Sequence, residues 1–307
     1  MKDLFPVDQM IEEFNQAMKQ THRPASTQEC SEGTPGGQIA VILANFGLRC
    51  NPFVDTVNPE FFYRTEQHER AYFRMQVCAG DHRALGLITG PSGTGKTLLS
   101  QMLLKDLSPK EFLPLVILCI PGMTKTALLR EILSELGIEP EGTHIQDLLN
   151  ALHHKIIEEY QNGRRLVLLV DESHFLSSDA LHMVRTLSNL ETPEEKLVTI
   201  LLFAENALLK RLKHRSYDSL RGRIALRGEL NPLTVRETEQ MLKFRVLVAG
   251  GQPTLFAPDA FEEIQSQTRG LPREVCKLAY NALLEAHLLG RPQIDADLLR
   301  HCREKGW

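Results

Sequence analysis

The feature that most constrains this chain is a glycine-rich loop between an apolar run and a helix-like segment. The loop matches the pattern G-x-x-x-x-G-K-[ST] in full. It consists of Gly90, Pro91, Ser92, Gly93, Thr94, Gly95, Lys96 and Thr97, and Leu98 opens the helix-like segment that follows. The preceding residues 84–89 are apolar and have the length of a buried strand. Because strand, loop and helix follow in this order, the pattern predicts a phosphate-binding loop.

The residue types in this loop suit the chemistry of a nucleotide triphosphate. Glycines allow backbone N–H groups to turn inward around phosphate oxygens, and the N-terminus of the next helix adds partial positive charge. We expect Lys96 to reach the β and γ phosphates and the Thr97 hydroxyl to bind Mg²⁺. The predicted ligands are therefore ATP and Mg²⁺.

A second acidic motif follows the strongest strand signal of the chain. Residues 166–170 are a continuous apolar run, which is typical of a parallel strand covered on both faces. The run ends in Asp171 and Glu172, at the edge of the sheet where open α/β folds bind ligands. We assign Asp171 to the metal and Glu172 to the water that attacks the γ-phosphate. The two motifs together predict ATP hydrolysis.

The alternation of strands and helices predicts a doubly wound parallel sheet. After Asn231 and Pro232 only helical patterns occur, and Thr234 with Glu237 forms a capping-box sequence. We therefore predict three parts: residues 1–38 as an amphipathic helix and a flexible linker, 39–230 as an α/β ATPase domain, and 231–307 as a smaller helical lid domain.

Composition excludes few classes of function. The net charge of −4 gives no overall basic signature for nucleic acid, although a basic stretch covers residues 210–215. The six cysteines are scattered, which favours free thiols. No apolar run reaches the roughly 18 residues of a membrane span, and the N-terminus lacks the basic flank and apolar block of a signal peptide. These observations lead us to expect a cytoplasmic protein.

The chain also contains a string that resembles a helicase motif and four histidines near acidic or helical segments. The string Asp171-Glu172-Ser173-His174 looks like a DEAH box. A helicase of that kind needs two RecA-like domains, whereas the sequence predicts a single sheet followed by a helical lid. His153, His154, His174 and His182 show no metal-ligand spacing with a cysteine or carboxylate cluster. We interpret them as exposed helix residues.

Phosphoryl transfer also needs positive charge at the transition state, which arginine supplies from the same or a neighbouring chain. The candidates are Arg221, Arg223 and Arg273. Their local sequences, with the other motifs, resemble those of ExeA/GspA-type AAA+ ATPases, relatives of the TnsC and MuB transposition ATPases. The matching segments, in order, are 51–53, 90–97, 171–172, 187–192, 220–224 and 270–273.

The resemblance covers about residues 39–304 and implies roles for individual positions. It implies an ATPase domain with a helical lid, assembled as a ring or filament with ATP between subunits. Arg223, with Arg221 as second choice, looks like the finger that enters the neighbour's site, and Arg273 looks like the lid arginine on the γ-phosphate. The segment Asn51, Pro52 and Phe53 looks like the part beside the adenine.

One position departs from the family pattern. The sensor at the end of the strand over residues 197–203 is usually a neutral polar residue, whereas here it falls on Glu205, with Asn206 next to it. An ionised carboxylate facing the γ-phosphate is repulsive. Either Asn206 takes the sensor role or hydrolysis is slow.

The process that the ATPase serves stays open at this point. Our leading hypothesis is a DNA-associated regulator that assembles on duplex DNA and recruits a transposase, as TnsC and MuB do. The first alternative is an ExeA-like ATPase that helps to build an envelope machine such as a secretion channel or pilus. The second is an ATP-gated scaffold with little turnover.

Overall fold

The computed structural model describes residues 37–54, 56 and 58–305. The predicted N-terminal amphipathic helix and most of the linker lie outside these residues. Contacts divide the described chain into two units, one formed by residues 67–231 and the other by residues 37–66 together with 232–305. The C-terminal boundary thus falls one residue after the predicted one. Residues 39–66, which we assigned to the ATPase domain, group instead with the C-terminal helices.

The first unit is an α/β unit with a parallel sheet. Its strands are β1 (Leu85–Thr89), β2 (Phe112–Leu118), β3 (Arg165–Asp171), β4 (Val198–Ala204) and β5 (Ile224–Glu229). Helix α1 (Gln38–Asn45) belongs to the other unit, and the helices of this unit are α2 (Glu66–Gly80), α3 (Lys96–Asp106), α4 (Lys125–Glu135), α5 (Ile145–Gln161), α6 (Ser178–Leu187), α7 (Asn206–Leu212) and α8 (Asp218–Arg221). Short 3₁₀ turns cover Ser173–Phe175 and Arg215–Tyr217.

The sheet has the strand order β2-β3-β4-β1-β5, and every neighbouring pair is parallel. Residues of β1, β3 and β4 are almost all buried, as continuous apolar runs in the middle of a covered sheet require. The carboxyl ends of these three adjacent strands therefore meet at one edge. This edge carries the glycine-rich loop after β1, Asp171 at the end of β3 and Glu205 after β4. The predicted doubly wound α/β fold is confirmed.

Strand β5 is not among the strands that the sequence predicted. It has the sequence Ile-Ala-Leu-Arg-Gly-Glu and alternates between buried and more exposed positions, because it forms an edge of the sheet. Gly228 within it lies against α2, since a Cβ at this position would be 2.9 Å from the Ala71 Cβ. The backbone that leaves the end of this strand passes beside the phosphate-binding loop.

The second unit is helical. Its helices are α1 (Gln38–Asn45), α9 (Val235–Val248), α10 (Ala260–Thr268), α11 (Pro272–Leu288) and α12 (Ala296–Glu304), with 3₁₀ turns over Pro59–Phe61 and Pro253–Leu255. Leu43, Phe53 and Phe61 of the N-terminal part are buried in the same core as Val275 and Leu298 of the C-terminal helices. This shared core explains why residues 37–66 group with the C-terminal helices.

The start of α9, in the helical unit, has the side-chain cap that the sequence predicts. The Thr234 hydroxyl accepts a hydrogen bond from the Glu237 N–H at 3.2 Å, and the Glu237 carboxylate accepts one from the Thr234 N–H at 2.9 Å. The predicted capping box is thus formed. Within the described ranges, no helix is both long and apolar enough to cross a bilayer.

Candidate functional site: a phosphate-binding loop beside two carboxylates

The glycine-rich loop joins β1 to α3 in a conformation that needs glycine at several positions. Gly93 and Gly95 have φ angles of 78° and 96°, in the left-handed region that other residues rarely adopt. A Cβ at Gly90 would lie 2.6 Å from the Leu230 carbonyl oxygen, so a side chain there would collide with the backbone that follows β5. The loop is therefore closed by its own turns on one side and by residue 230 on the other.

Two buried side chains, those of Thr94 and His68, form hydrogen bonds with the backbone of the loop. The Thr94 hydroxyl donates to the Pro91 carbonyl at 2.8 Å, which fixes the width of the loop. The Thr94 carbonyl in turn lies 2.9 Å from Nε2 of His68, on α2. Because a carbonyl oxygen only accepts, Nε2 carries the proton of this hydrogen bond. His68 is 2% exposed, and its supporting contact was not predicted from the sequence.

Lys96 lies inside the loop. Its side chain is buried, and Nζ donates hydrogen bonds to the carbonyl oxygens of Gly90 at 3.1 Å and Pro91 at 2.9 Å. Thr97 and Leu98, the next residues of α3, are half-buried. The ammonium group is thus held within the turn, where phosphate oxygens that replace the two carbonyls would meet a full positive charge.

Asp171 and Glu172 lie at the same edge of the sheet. Asp171 is 2% exposed, and its Oδ1 accepts a hydrogen bond from the Glu172 N–H at 2.9 Å. Glu172 has φ 52° and ψ 33°, a left-handed conformation that is uncommon for a residue other than glycine. The Ser173 hydroxyl donates to the Phe203 carbonyl at 2.9 Å and so fastens this turn to β4.

The turn after Glu172 also brings a histidine into the site. Nδ1 of His174 lies 3.3 Å from Oε2 of Glu172 and accepts a hydrogen bond from the Glu205 N–H at 3.3 Å. The His174 side chain is only 10% exposed. Our interpretation of His174 as an exposed helix residue is therefore wrong, because the residue lies in a 3₁₀ turn and packs against the end of β4. Possible ligand atoms of Glu172, His174 and Glu205 all lie within 4.8 Å of one another.

A buried cysteine lies next to Asp171. Cys119 follows β2, and its N–H donates to the Asp171 carbonyl at 3.0 Å. Burial, and then the charges of Asp171 and Glu172, raise the pKa of the Cys119 thiol to about 12. The thiol is therefore neutral near pH 7, and it is free, as the sequence predicts for a scattered cysteine.

The sequence left open whether Glu205 or Asn206 acts as the sensor, and the structure shows the surroundings of both. Glu205 is half-buried and immediately precedes α7, and its carboxylate belongs to the cluster with Glu172. The Asn206 Oδ1 atom is buried and has no hydrogen-bond partner in the described structure. The Glu205 carboxylate thus lies close to the Glu172 carboxylate.

The two arginines of the predicted finger segment differ in the hydrogen bonds and ion pairs that they form. Arg221 donates to the Leu212 carbonyl at 2.9 Å and forms an ion pair with Asp218 at 2.6 Å. Arg223 is half-buried, and its side chain forms no hydrogen bond or ion pair with the described residues. It directly precedes β5, whose first residue pairs with Leu85, the first residue of β1. Arg223 therefore lies at the amino edge of the sheet, opposite to the phosphate-binding loop.

Four predicted site residues belong to the helical unit. Arg273 is exposed in the first turn of α11, after the positive-φ residue Gly270. The Pro52 carbonyl accepts a hydrogen bond from Arg245 at 2.8 Å, and Asn51 Oδ1 accepts one from the Phe53 N–H at 2.9 Å. The roles of Asn51, Pro52 and Phe53 at the adenine, and of Arg273 at the γ-phosphate, stay predictions.

This fold and this site define the class of the protein: a P-loop NTPase with AAA+ architecture. Residues 79–212 match the AAA domain family. The solved structures with the same fold include the ORC2 protein of Aeropyrum pernix, with a TM-score of 0.61, 18% identity and coverage of 83% of this chain and 71% of that one. They also include Cdc6p of Pyrobaculum aerophilum, with a TM-score of 0.64, 18% identity and coverage of 83% and 70%.

One relative points to a particular group within the AAA+ ATPases. General secretion pathway protein A of Aeromonas hydrophila is 30% identical over 250 residues, which are 81% of this chain and 45% of the relative. The chain thus spans about half the length of that protein. The resemblance inferred from the motifs is confirmed: over most of its length the chain is similar to an ExeA/GspA-type AAA+ ATPase. The DNA-associated reading that we placed first is not confirmed, and the comparison favours the secretion-type alternative.

Proposed function

We propose that the protein binds ATP with Mg²⁺ at the loop over residues 90–97 and hydrolyses it. The observation that carries this proposal is the meeting of Lys96, Asp171 and Glu172 at the carboxyl edge of one parallel sheet. The residues fit the ligands, since the Lys96 ammonium points to loop carbonyls that phosphate oxygens can replace. The buried Asp171 carboxylate and the Thr97 hydroxyl have the oxygen chemistry that Mg²⁺ prefers.

Each residue has one task in this mechanism. Lys96 and the loop N–H groups hold the β and γ phosphates, and Thr97 and Asp171 hold the metal, directly or through water. Mg²⁺, when bound, neutralises charge that develops on the phosphate oxygens. Glu172 accepts a hydrogen bond from the attacking water and aligns it with the γ-phosphorus. Arg223 of a neighbouring copy supplies positive charge to the transition state.

The central test separates binding from hydrolysis. Glu172→Gln keeps the shape of the side chain but removes its basicity, so we expect ATP affinity to be retained and the turnover rate to fall by about 10²-fold. Glu135→Gln, an exposed carboxylate on α4, is the matched control and should keep the wild-type rate. Wild-type turnover by Glu172→Gln would refute the assignment. ATP-dependent assembly of the wild type without phosphate release would favour the scaffold with little turnover, in line with Glu205 at the sensor position.

We further propose that ATP turnover drives assembly of a secretion-type envelope machine. The support is the 30% identity to General secretion pathway protein A across most of this chain. Deletion of the gene in its own host should reduce the amount of secreted proteins outside the cell. Complementation with the wild type should restore secretion, whereas Lys96→Ala should not. Normal secretion in the deletion strain would reject this process and leave the ATPase proposal intact.

A second process has one observation in its favour. The basic stretch after β4 exposes Lys210, Lys213 and Arg215, a charge pattern that suits the phosphates of duplex DNA. If the protein acts on DNA and recruits a transposase, duplex DNA should raise its ATPase rate and form complexes that weaken as salt rises. A Lys213→Glu and Arg215→Glu double variant should lose this stimulation but keep its basal rate. An unchanged rate of the wild type with DNA would exclude this function.

A further inference from the structure

His174 is the side chain at this edge that the hydrolysis scheme above leaves without a task. It occupies the centre of the 3₁₀ turn that begins after Glu172, and a single ring nitrogen faces two different groups. Nδ1 is 3.3 Å from the Glu172 carboxylate and 3.3 Å from the Glu205 backbone nitrogen. The first partner is a hydrogen-bond acceptor and the second is a donor.

One nitrogen cannot satisfy both partners at once. With a proton on Nδ1, the ring donates to Glu172 and presents that proton to the N–H of Glu205. Without it, Nδ1 accepts from Glu205 and turns a lone pair toward the Glu172 carboxylate. In this structure Nδ1 accepts from the Glu205 N–H with hydrogen-bond geometry, while Oε2 of Glu172 lies at ion-pair distance from the same nitrogen.

The ring itself is fixed, so the two arrangements differ in the position of a proton. The His174 carbonyl accepts a hydrogen bond from Arg211 of α7 at 2.9 Å. The imidazole packs against the Phe175 ring, with 4.1 Å between the ring centres. The preceding Ser173 hydroxyl is bound to the Phe203 carbonyl of β4. These contacts tie the turn that carries the ring to both β4 and α7.

We propose that His174 is a positioning residue that couples the end of β4 to Glu172. When Nδ1 donates to Glu172, the carboxylate is held in place but is a weaker acceptor for the attacking water. When Nδ1 accepts from the Glu205 N–H, Glu172 is released to take the water. A change at Glu205 on nucleotide binding thereby changes how well Glu172 accepts a hydrogen bond from the attacking water. This inference rests on the proposed role of Glu172 as the residue that orients water.

The test compares substitutions that differ in where they place a polar atom. Asparagine at position 174 offers a polar atom near the place of Nδ1, whereas glutamine offers one near the place of Nε2. We expect His174→Ala and His174→Gln to lower kcat about tenfold with the ATP Kd unchanged, and His174→Asn to stay within about threefold of the wild type. His154→Ala, an exposed histidine on α5, is the matched control and should keep the wild-type rate.

Two further readouts separate positioning from a folding defect. In the Glu172→Gln background, His174→Ala should not lower the residual rate further, because both changes act through the same group. Nitrogen NMR of the histidine ring should show Nδ1 without its proton in Glu172→Gln, since no carboxylate then competes for it. Equal losses in His174→Asn and His174→Ala, or additive losses with Glu172→Gln, would overturn the coupling. A wild-type rate for His174→Ala beside an inactive Glu172→Gln would refute only this inference, whereas an active Glu172→Gln would refute the proposed function itself.

Discussion

At the scale of single residues, Glu172 combines the proposed chemistry with an uncommon backbone conformation. Its φ of 52° lies in the left-handed region, which costs a side-chain-bearing residue about 1–3 kcal/mol. The strain is sustained by the Ser173 hydrogen bond to β4 and by the Phe175 N–H, which donates to the Glu172 carbonyl at 2.9 Å. The strain at Glu172 is therefore offset by contacts of the turn that carries it.

This strain gives a prediction about stability and activity at one position. Glu172→Gly should raise the free energy of unfolding by about 1 kcal/mol, because glycine adopts positive φ freely, and it should abolish ATP turnover. Urea unfolding and a phosphate-release assay measure the two effects. Arg269→Gly is the matched control, since Arg269 also has a positive φ of 54° and caps α10. It should gain stability without loss of turnover, and a loss of stability in both variants would contradict the strain argument.

At the scale of elements, the sequence predicted what local patterns determine. The loop over residues 90–97 and the pair Asp171 and Glu172 follow from short motifs next to apolar runs, so both were placed at the correct edge. The contact of His68 with Thr94 was missed because 26 residues separate them. The contact of His174 with Glu205 was missed because it depends on how β3 and β4 pair.

Strand β5 shows the same limit for a whole element. It is six residues long, contains Arg227, Gly228 and Glu229, and lacks the continuous apolar run of a central strand. Pairing with β1 along one side stabilises it, together with the packing of Gly228 on α2. The sequence shows neither interaction, since each depends on distant parts of the chain.

The capping box of α9 provides a prediction at the scale of an element. Thr234→Ala removes the hydroxyl that accepts from the Glu237 N–H, so the free energy of unfolding should fall by about 1 kcal/mol. Urea denaturation of the wild type and the variant measures the difference. Thr234→Ser keeps the hydroxyl and is the control that should lose much less. If alanine and serine have equal effects, the cap does not contribute to the stability of the helical unit.

At the scale of the whole molecule, the register of the sheet places Arg223 far from the phosphate-binding loop of its own chain. Ile224 pairs with Leu85 and Glu229 pairs with Thr89, so β1 and β5 run side by side in the same direction. Arg223 is thus separated from the loop that starts at Gly90 by the length of a strand, about 17 Å at the usual rise per residue. This is longer than an extended arginine side chain. A role for Arg223 in phosphoryl transfer therefore requires the site of a neighbouring subunit.

Mixing two inactive variants tests this arrangement. Arg223→Ala keeps an intact phosphate-binding loop, and Lys96→Ala keeps an intact Arg223, so each alone should be nearly inactive. In an equal mixture that assembles at random, one interface in four joins an intact loop to an intact arginine, and about a quarter of the wild-type rate should return. Arg221→Ala is the control for the other candidate, and it should lose far less activity because its guanidinium is already bound to Asp218 and the Leu212 carbonyl. A mixture that stays inactive while both variants assemble with ATP would place the catalytic arginine elsewhere, and a larger loss in Arg221→Ala than in Arg223→Ala would reverse the two assignments.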